Sequence, residues 1–156
     1  DTAVRSGLAD ARWPGRMELL QTEPVPVFID GAHNVAGVQS AVDTLLELFP
    51  DDELRGNEPL KFGAVPKRFK RFNFVFGVLK DKEWREMYLI IARVAKSIQL
   101  VTPSSDRALP ARELAALIGM PPQSESLTME EGLADTIADS RRGDVVCVLG
   151  SLYLQK

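Results

Sequence analysis

The sequence predicts a three-layer α/β domain: a mostly parallel sheet of about six strands, one edge strand antiparallel, with helices on both faces. Three observations predict it. Short apolar runs alternate with longer amphipathic stretches along most of the chain. Strand–helix repetition of this kind needs crossover connections, which make strands parallel and cover them with helices. Nearly all the distinctive polar residues stand directly after the apolar runs, where an open parallel sheet presents its ligand edge.

The elements follow in order. Residues 1–11 read as the end of a linker or helix continuing from an upstream domain, an expectation that Asp1, in place of an initiator methionine, favours. Residues 12–156 read as one domain. Residues 17–21 alternate in polarity and form the edge strand. Val25, Val27, Phe28 and Ile29 make a buried strand that ends on the Asp30 carboxylate. Val38, Val42, Leu45, Leu46 and Phe49 then share one helical face. Residues 50–71 break the rhythm: acidic residues, Gly56, Pro59, Gly63 and Pro66 precede the cluster Lys67, Arg68, Lys70 and Arg71, and the stretch reads as a long surface loop. Residues 72–78 are a second strand, and 82–95 a helix striped by Trp84, Met87, Tyr88, Ile91, Val94 and Ala95. A third strand at 97–101 leads to a helix at 111–118. A weak strand near 123–127 precedes a helix that Thr128 caps, with Glu131 at capping-box spacing. The last clear strand is 144–149, and 152–154 extend a further edge. The whole pattern is Rossmann-like.

Composition narrows the function. A chain of 156 residues suits one core, and 45% hydrophobic with 26% charged residues excludes a disordered or fibrous chain. The net charge of −3 offers no global field for nucleic acid or an anionic membrane, and the basic cluster near the second strand reads as solvated edge protection. No apolar run approaches the ~20 residues that span a bilayer, and no signal segment opens the sequence, so a cytoplasmic monomer is expected. One cysteine and one histidine make a protein-built zinc site improbable, and Cys147 reads as a core residue.

The chemistry gathers after the strands: Asp30-Gly31-Ala32-His33-Asn34, then Gly77-Val78-Leu79-Lys80-Asp81-Lys82, then Thr102-Pro103-Ser104-Ser105, then Gly150-Ser151. A carboxylate ending a strand offers two acceptors to adjacent ribose hydroxyls. Gly31 and Ala32 admit a close ligand, Asn34 is placed to cap the next helix, and His33 at a helix N-terminus is expected to be a neutral donor/acceptor. In Trp13-Pro14-Gly15-Arg16 the turn fixes the exit of an arginine whose planar fork suits a phosphate. There is no GxxxxGK[ST] phosphate loop, GxGxxG fingerprint or G-x-S-x-G elbow in the chain, so a nucleotide would need its β- and γ-phosphates held elsewhere.

Taken together, Trp13-Pro14-Gly15-Arg16-Met17-Glu18, Asp30-Gly31-Ala32-His33-Asn34, Gly77-Val78-Leu79-Lys80-Asp81-Lys82 and Leu149-Gly150-Ser151-Leu152-Tyr153-Leu154 resemble the C-terminal domain of the folylpolyglutamate synthase/dihydrofolate synthase family, within the Mur ligase superfamily. The resemblance runs from Ala11 onward. It implies a ligase in which ATP phosphorylates a carboxylate of dihydropteroate or a folate and the amine of L-glutamate displaces the phosphate. It implies that Arg16, Asp30 and His33 meet the ATP, and that His33 and Ser151 meet the glutamate. Asn34, Asp81 and Lys82 lie on the rim without an assigned role. ATP and magnesium are implied, the magnesium ligands and phosphate loop belonging to an N-terminal domain of the same parent chain. On this reading the 156 residues alone are inactive. Two alternatives stay open: a Mur-type amide ligase with another acceptor, and a non-catalytic nucleotide-binding α/β module.

Overall fold

The computed structural model describes residues 17–50, 71–120 and 128–150. Among these, five strands and four helices appear: β1 (Glu18–Gln21), β2 (Val27–Ile29), α1 (Val35–Leu48), β3 (Phe72–Phe76), α2 (Trp84–Ala92), β4 (Ala95–Leu100), α3 (Ala111–Ile118), α4 (Met129–Asp139) and β5 (Val145–Leu149). The sheet order is β1-β2-β5-β3-β4. β1 pairs antiparallel with β2, and every other pairing is parallel. The fold class is the one the sequence predicts. The weak strand near 123–127, the edge at 152–154, the loop at 51–70 and the segment at 1–11 lie outside the described residues.

Period-2 side chains divide the core between the two faces of the sheet. Phe28, Phe72, Phe74, Phe76, Val145, Cys147 and Leu149 point to one face, where Val38, Leu45, Met87, Ile91 and Leu114 from α1, α2 and α3 cover them. Val27, Ile29, Val75, Val146 and Val148 point to the other, against Met129, Leu133 and Ile137 of α4. The central strands are therefore buried at every position rather than alternating, and Asn73 of β3 is the one polar side chain in them. The handedness of crossovers explains the placement of α4, the helix that leads directly into β5. From β2 to β3 to β4 the chain advances one way across the sheet, and β5 reverses it, so a right-handed connection puts α4 on the opposite face.

Local signals set the ends. Asn34 caps α1 by accepting the Gly37 amide at 2.7 Å. Thr128 and Glu131 form the expected reciprocal capping box at α4, at 3.2 and 3.0 Å. One boundary differs from expectation: α2 ends at Ala92 rather than Ala95, because Ala95 already pairs with Phe72 as the first residue of β4. Val94 and Ala95 continue the apolar stripe, yet they serve the sheet. Ladder hydrogen bonds available to β4 outweigh one more helical turn.

Candidate functional site

The parallel register brings the strand ends level. Ile29 pairs with Val148, and Leu149 with Phe76, which pairs in turn with Leu100. The ladder then runs one step beyond the strands: the Asp30 amide donates to Val148 O at 2.9 Å, Gly77 to Leu149 O at 3.3 Å, and Val101 to Phe76 O at 3.0 Å. Segments 30–34 and 77–82 and residue Gly150 thus share the carboxyl edge of one sheet. Arg16 and Ser151, the remaining partners in the predicted site, lie outside the described residues.

Asp30 is buried, and its two oxygens accept backbone amides: Oδ2 takes Met17 N at 3.0 Å and Oδ1 takes Ala32 N at 2.8 Å. The carboxylate therefore ties the start of β1, directly after Arg16 in sequence, to the loop after β2. Met17 takes a left-handed φ of 46°, uncommon for a residue with a side chain, where that tie is made.

His33 is half-buried, and its Nδ1 lies 3.1 Å from Gly31 O. A carbonyl only accepts, so Nδ1 carries the hydrogen. In the tautomer with hydrogen on Nδ1 alone, Nε2 is the acceptor. Asn34 is spent on the α1 cap, which Gly37 accommodates closely: a Cβ there would stand 3.1 Å from Asn34 Oδ1 and 3.3 Å from Ala32 Cβ.

The loop after β3 is zipped to the loop after β4. Leu79 bridges Ala108 antiparallel, Lys80 N donates to Arg107 O at 2.8 Å, and Leu109 N donates to Val78 O at 2.9 Å. Outside this zip, Arg107 Nη1 reaches Asp81 Oδ2 at 3.3 Å, with both side chains more than half exposed. Lys82 is half-buried, and its amide closes a turn onto Leu79 O at 3.3 Å. Thr102 Oγ1 accepts the Ala111 amide at 2.9 Å and Ser105 Oγ accepts the Arg107 amide at 3.2 Å, so these hydroxyls shape their own loop. Sequence reasoning missed Arg107. No local motif marks it, since its partner stands 26 residues away.

Gly150 joins the segments. Its amide donates to Ala32 O at 3.1 Å, and its φ is +119°. Cys147, two strand positions back on the same face as Leu149, is a sealed core residue: burial pushes its thiol pKa up strongly, and the negative charge of Asp30 adds to the rise. Among the described residues no three His, Cys, Asp or Glu side chains gather to hold a metal, and no helix is long and apolar enough to cross a membrane.

Comparison with known proteins bears on what this edge serves. No family model matches the chain. The dihydrofolate synthase/folylpolyglutamate synthase of Bacillus subtilis is 31% identical over 153 residues, covering 98% of this chain and 31% of that protein. The crystal structure of a bifunctional folylpolyglutamate synthase/dihydrofolate synthase with Mn, AMPPNP and L-glutamate bound superposes with a TM-score of 0.70 at 22% identity, over 99% of this chain and 32% of its own, which speaks for the fold. The Mycobacterium tuberculosis folylpolyglutamate synthase complexed with ADP and AMPPCP gives a TM-score of 0.65 at 26% identity, over 98% of this chain and 33% of its own. The chain thus spans about a third of the length of these relatives. Along nearly all of its length, this chain is homologous to the folylpolyglutamate synthase/dihydrofolate synthases, enzymes of the Mur ligase superfamily.

Proposed function

We propose that this chain is the C-terminal part of an ATP-dependent ligase that adds L-glutamate to dihydropteroate or to folates. The observation that carries the reading is the 31% identity over 98% of the chain to a dihydrofolate synthase/folylpolyglutamate synthase. The shared edge of segments 30–34, 77–82 and Gly150 supports it, since that is where an open sheet binds ligands.

In this reading the acceptor carboxylate takes the γ-phosphoryl group of ATP, giving an acyl phosphate and ADP. The glutamate amine then attacks the carbonyl carbon, loses a proton, and expels phosphate as the amide forms. Such chemistry is chiefly positioning and charge neutralisation. Arg16 supplies a fork for phosphate, Asp30 anchors the chain next to it and faces the nucleotide, His33 meets both the nucleotide and the glutamate, and Ser151 meets the glutamate. With Nδ1–H held by Gly31 O, His33 Nε2 is the ring atom left to accept an N–H of the incoming amine. Magnesium and the phosphate loop belong to an N-terminal domain of the same parent, and the enzyme acts as a cytoplasmic monomer.

The test is turnover by the full-length protein carrying this chain, supplied with ATP, magnesium, L-glutamate and either dihydropteroate or a reduced folate. Folate-dependent release of ADP with amide formation is the expected result. The 156 residues alone are expected to turn nothing over. Activity with a different acceptor and none with folates would move the reading to another Mur-type ligase, and turnover by the isolated chain would remove the need for a second domain.

A further inference from the structure

We propose that Gly150 is a positioning residue, which sets where His33 stands relative to the end of β5. The inference rests on the ligase reading for the meaning of His33, not for the geometry. Three facts carry it. Gly150 has a φ of +119°, a region that residues with side chains rarely adopt. Its amide donates to Ala32 O at 3.1 Å, fastening the loop that continues directly into His33. On its other side there is no room: a Cβ on Gly150 would stand 2.1 Å from Gly77 O and 2.8 Å from two atoms of the Phe76 ring.

The nearest of those obstacles is a backbone carbonyl, and it cannot swing aside as a side chain does. Gly77 is itself fastened to β5 through its amide and Leu149 O, at 3.3 Å. Any side chain at 150 must therefore move the β5 exit by roughly 1 Å, away from Gly77 or away from Ala32, a displacement of the size that costs ~10²-fold in catalysis. Gly150 thus registers the loop after β2 and the loop after β3 against the end of β5 at one point.

Gly143 provides the comparison. It has a φ of +95°, yet a Cβ there meets nothing within 4 Å, and it precedes β5 at the opposite edge of the sheet. Gly143→Ala shares the backbone strain and lacks the collision. The first readout uses this chain as it stands, because His33 is its only histidine and its imidazole gives an unambiguous NMR signal. Gly150→Ala should shift that signal while the amide spectrum of β3 and β4 stays native, and Gly143→Ala should leave it in place. An unmoved His33 signal in Gly150→Ala, or an equal shift in both variants, overturns the inference. In the full-length enzyme, Gly150→Ala should lower kcat/KM for glutamate by ~10- to 100-fold, and Gly143→Ala should stay within about twofold. An equal loss in both variants overturns it as well. A wild type inactive with folates would defeat the ligase reading and leave the His33 measurement to decide Gly150. Should Gly150→Ala not fold, hydrogen exchange in the wild type decides: the Gly77 and Gly150 amides should share one opening event, and protection differing by more than about tenfold would sink the proposal.

Discussion

At the residue scale, Asp30 is a structural tie whatever it meets at the sheet edge. Its carboxylate satisfies the amides of Met17 and Ala32, the first belonging to the entry of β1 and the second to the loop that carries His33. A single side chain thus couples the chain following Arg16 to the histidine. Asp30→Ala leaves those two amides without their acceptor and should cost about 2–4 kcal/mol. Asp30→Asn keeps one acceptor oxygen and should cost roughly half as much. Urea unfolding of both variants measures this, and equal losses would show that the charge, not the pair of hydrogen bonds, matters. A nucleotide contact predicts a separate signature: Asp30→Asn should weaken nucleotide binding beyond its effect on stability.

Among the elements, α4 shows how tertiary packing overrides propensity. Its capping box and its Met129, Leu133 and Ile137 stripe are ordinary helix signals, but Gly132 stands in its middle. A Cβ at that position would lie 2.3 Å from Val101 Cγ1, so the glycine lets the helix settle onto the sheet. Helix propensity alone predicts that Gly132→Ala gains ~1 kcal/mol. Overpacking against Val101 predicts a loss of about 1–3 kcal/mol, and the buried contact should win. Pairing Gly132→Ala with Val101→Ala should recover much of that loss, which a double-mutant cycle of unfolding free energies reads directly. Strict additivity would show that the collision is not the cause.

The molecule as a whole has two unlike edges. The carboxyl edge holds the candidate site. The amino edge holds a polar cluster centred on the buried Asn73 and Asp144, beside a cavity of about 210 Å³ lined in part by Asn73, Lys96, Ser97 and Thr136. Asn73 accepts from Ser97 Oγ at 2.8 Å and donates to Ser140 Oγ at 2.9 Å and to Asp144 Oδ2 at 3.2 Å. Lys96 Nζ reaches the same Asp144 oxygen at 2.7 Å. Burial raises the Asp144 pKa and is the largest single influence, but the Arg141 amide, Lys96 and Asn73 together outweigh it and hold the group below its ordinary 3.8. A depressed carboxylate contributes stability that is complete above the unfolded value and lost as pH falls through the folded one. Acid should therefore weaken the fold below about pH 4 in part through this cluster. Asp144→Asn should be less stable at neutral pH and should lose less of its remaining stability on acidification. Urea midpoints across the acid range measure it, and parallel pH curves for both proteins would contradict the assignment.

Much of the fold and part of the site were legible in the residues alone. The order of strands and helices follows from runs such as Val145–Leu149, whose side chains are apolar at every position, and from caps such as Thr128, because burial periodicity and capping are local properties of the chain. The placement of Asp30, His33 and Gly77 after strands was equally local, and a parallel sheet turns it into a common edge. The tertiary structure alone decided what those groups touch. That Asp30 holds Met17, that Arg107 meets Asp81, and that Gly150 stands against the Gly77 carbonyl are contacts between residues 13, 26 and 73 positions apart. Sequence patterns report which face a residue turns toward the core. Which distant backbone atom waits there depends on strand order and register, and those are properties of the assembled sheet.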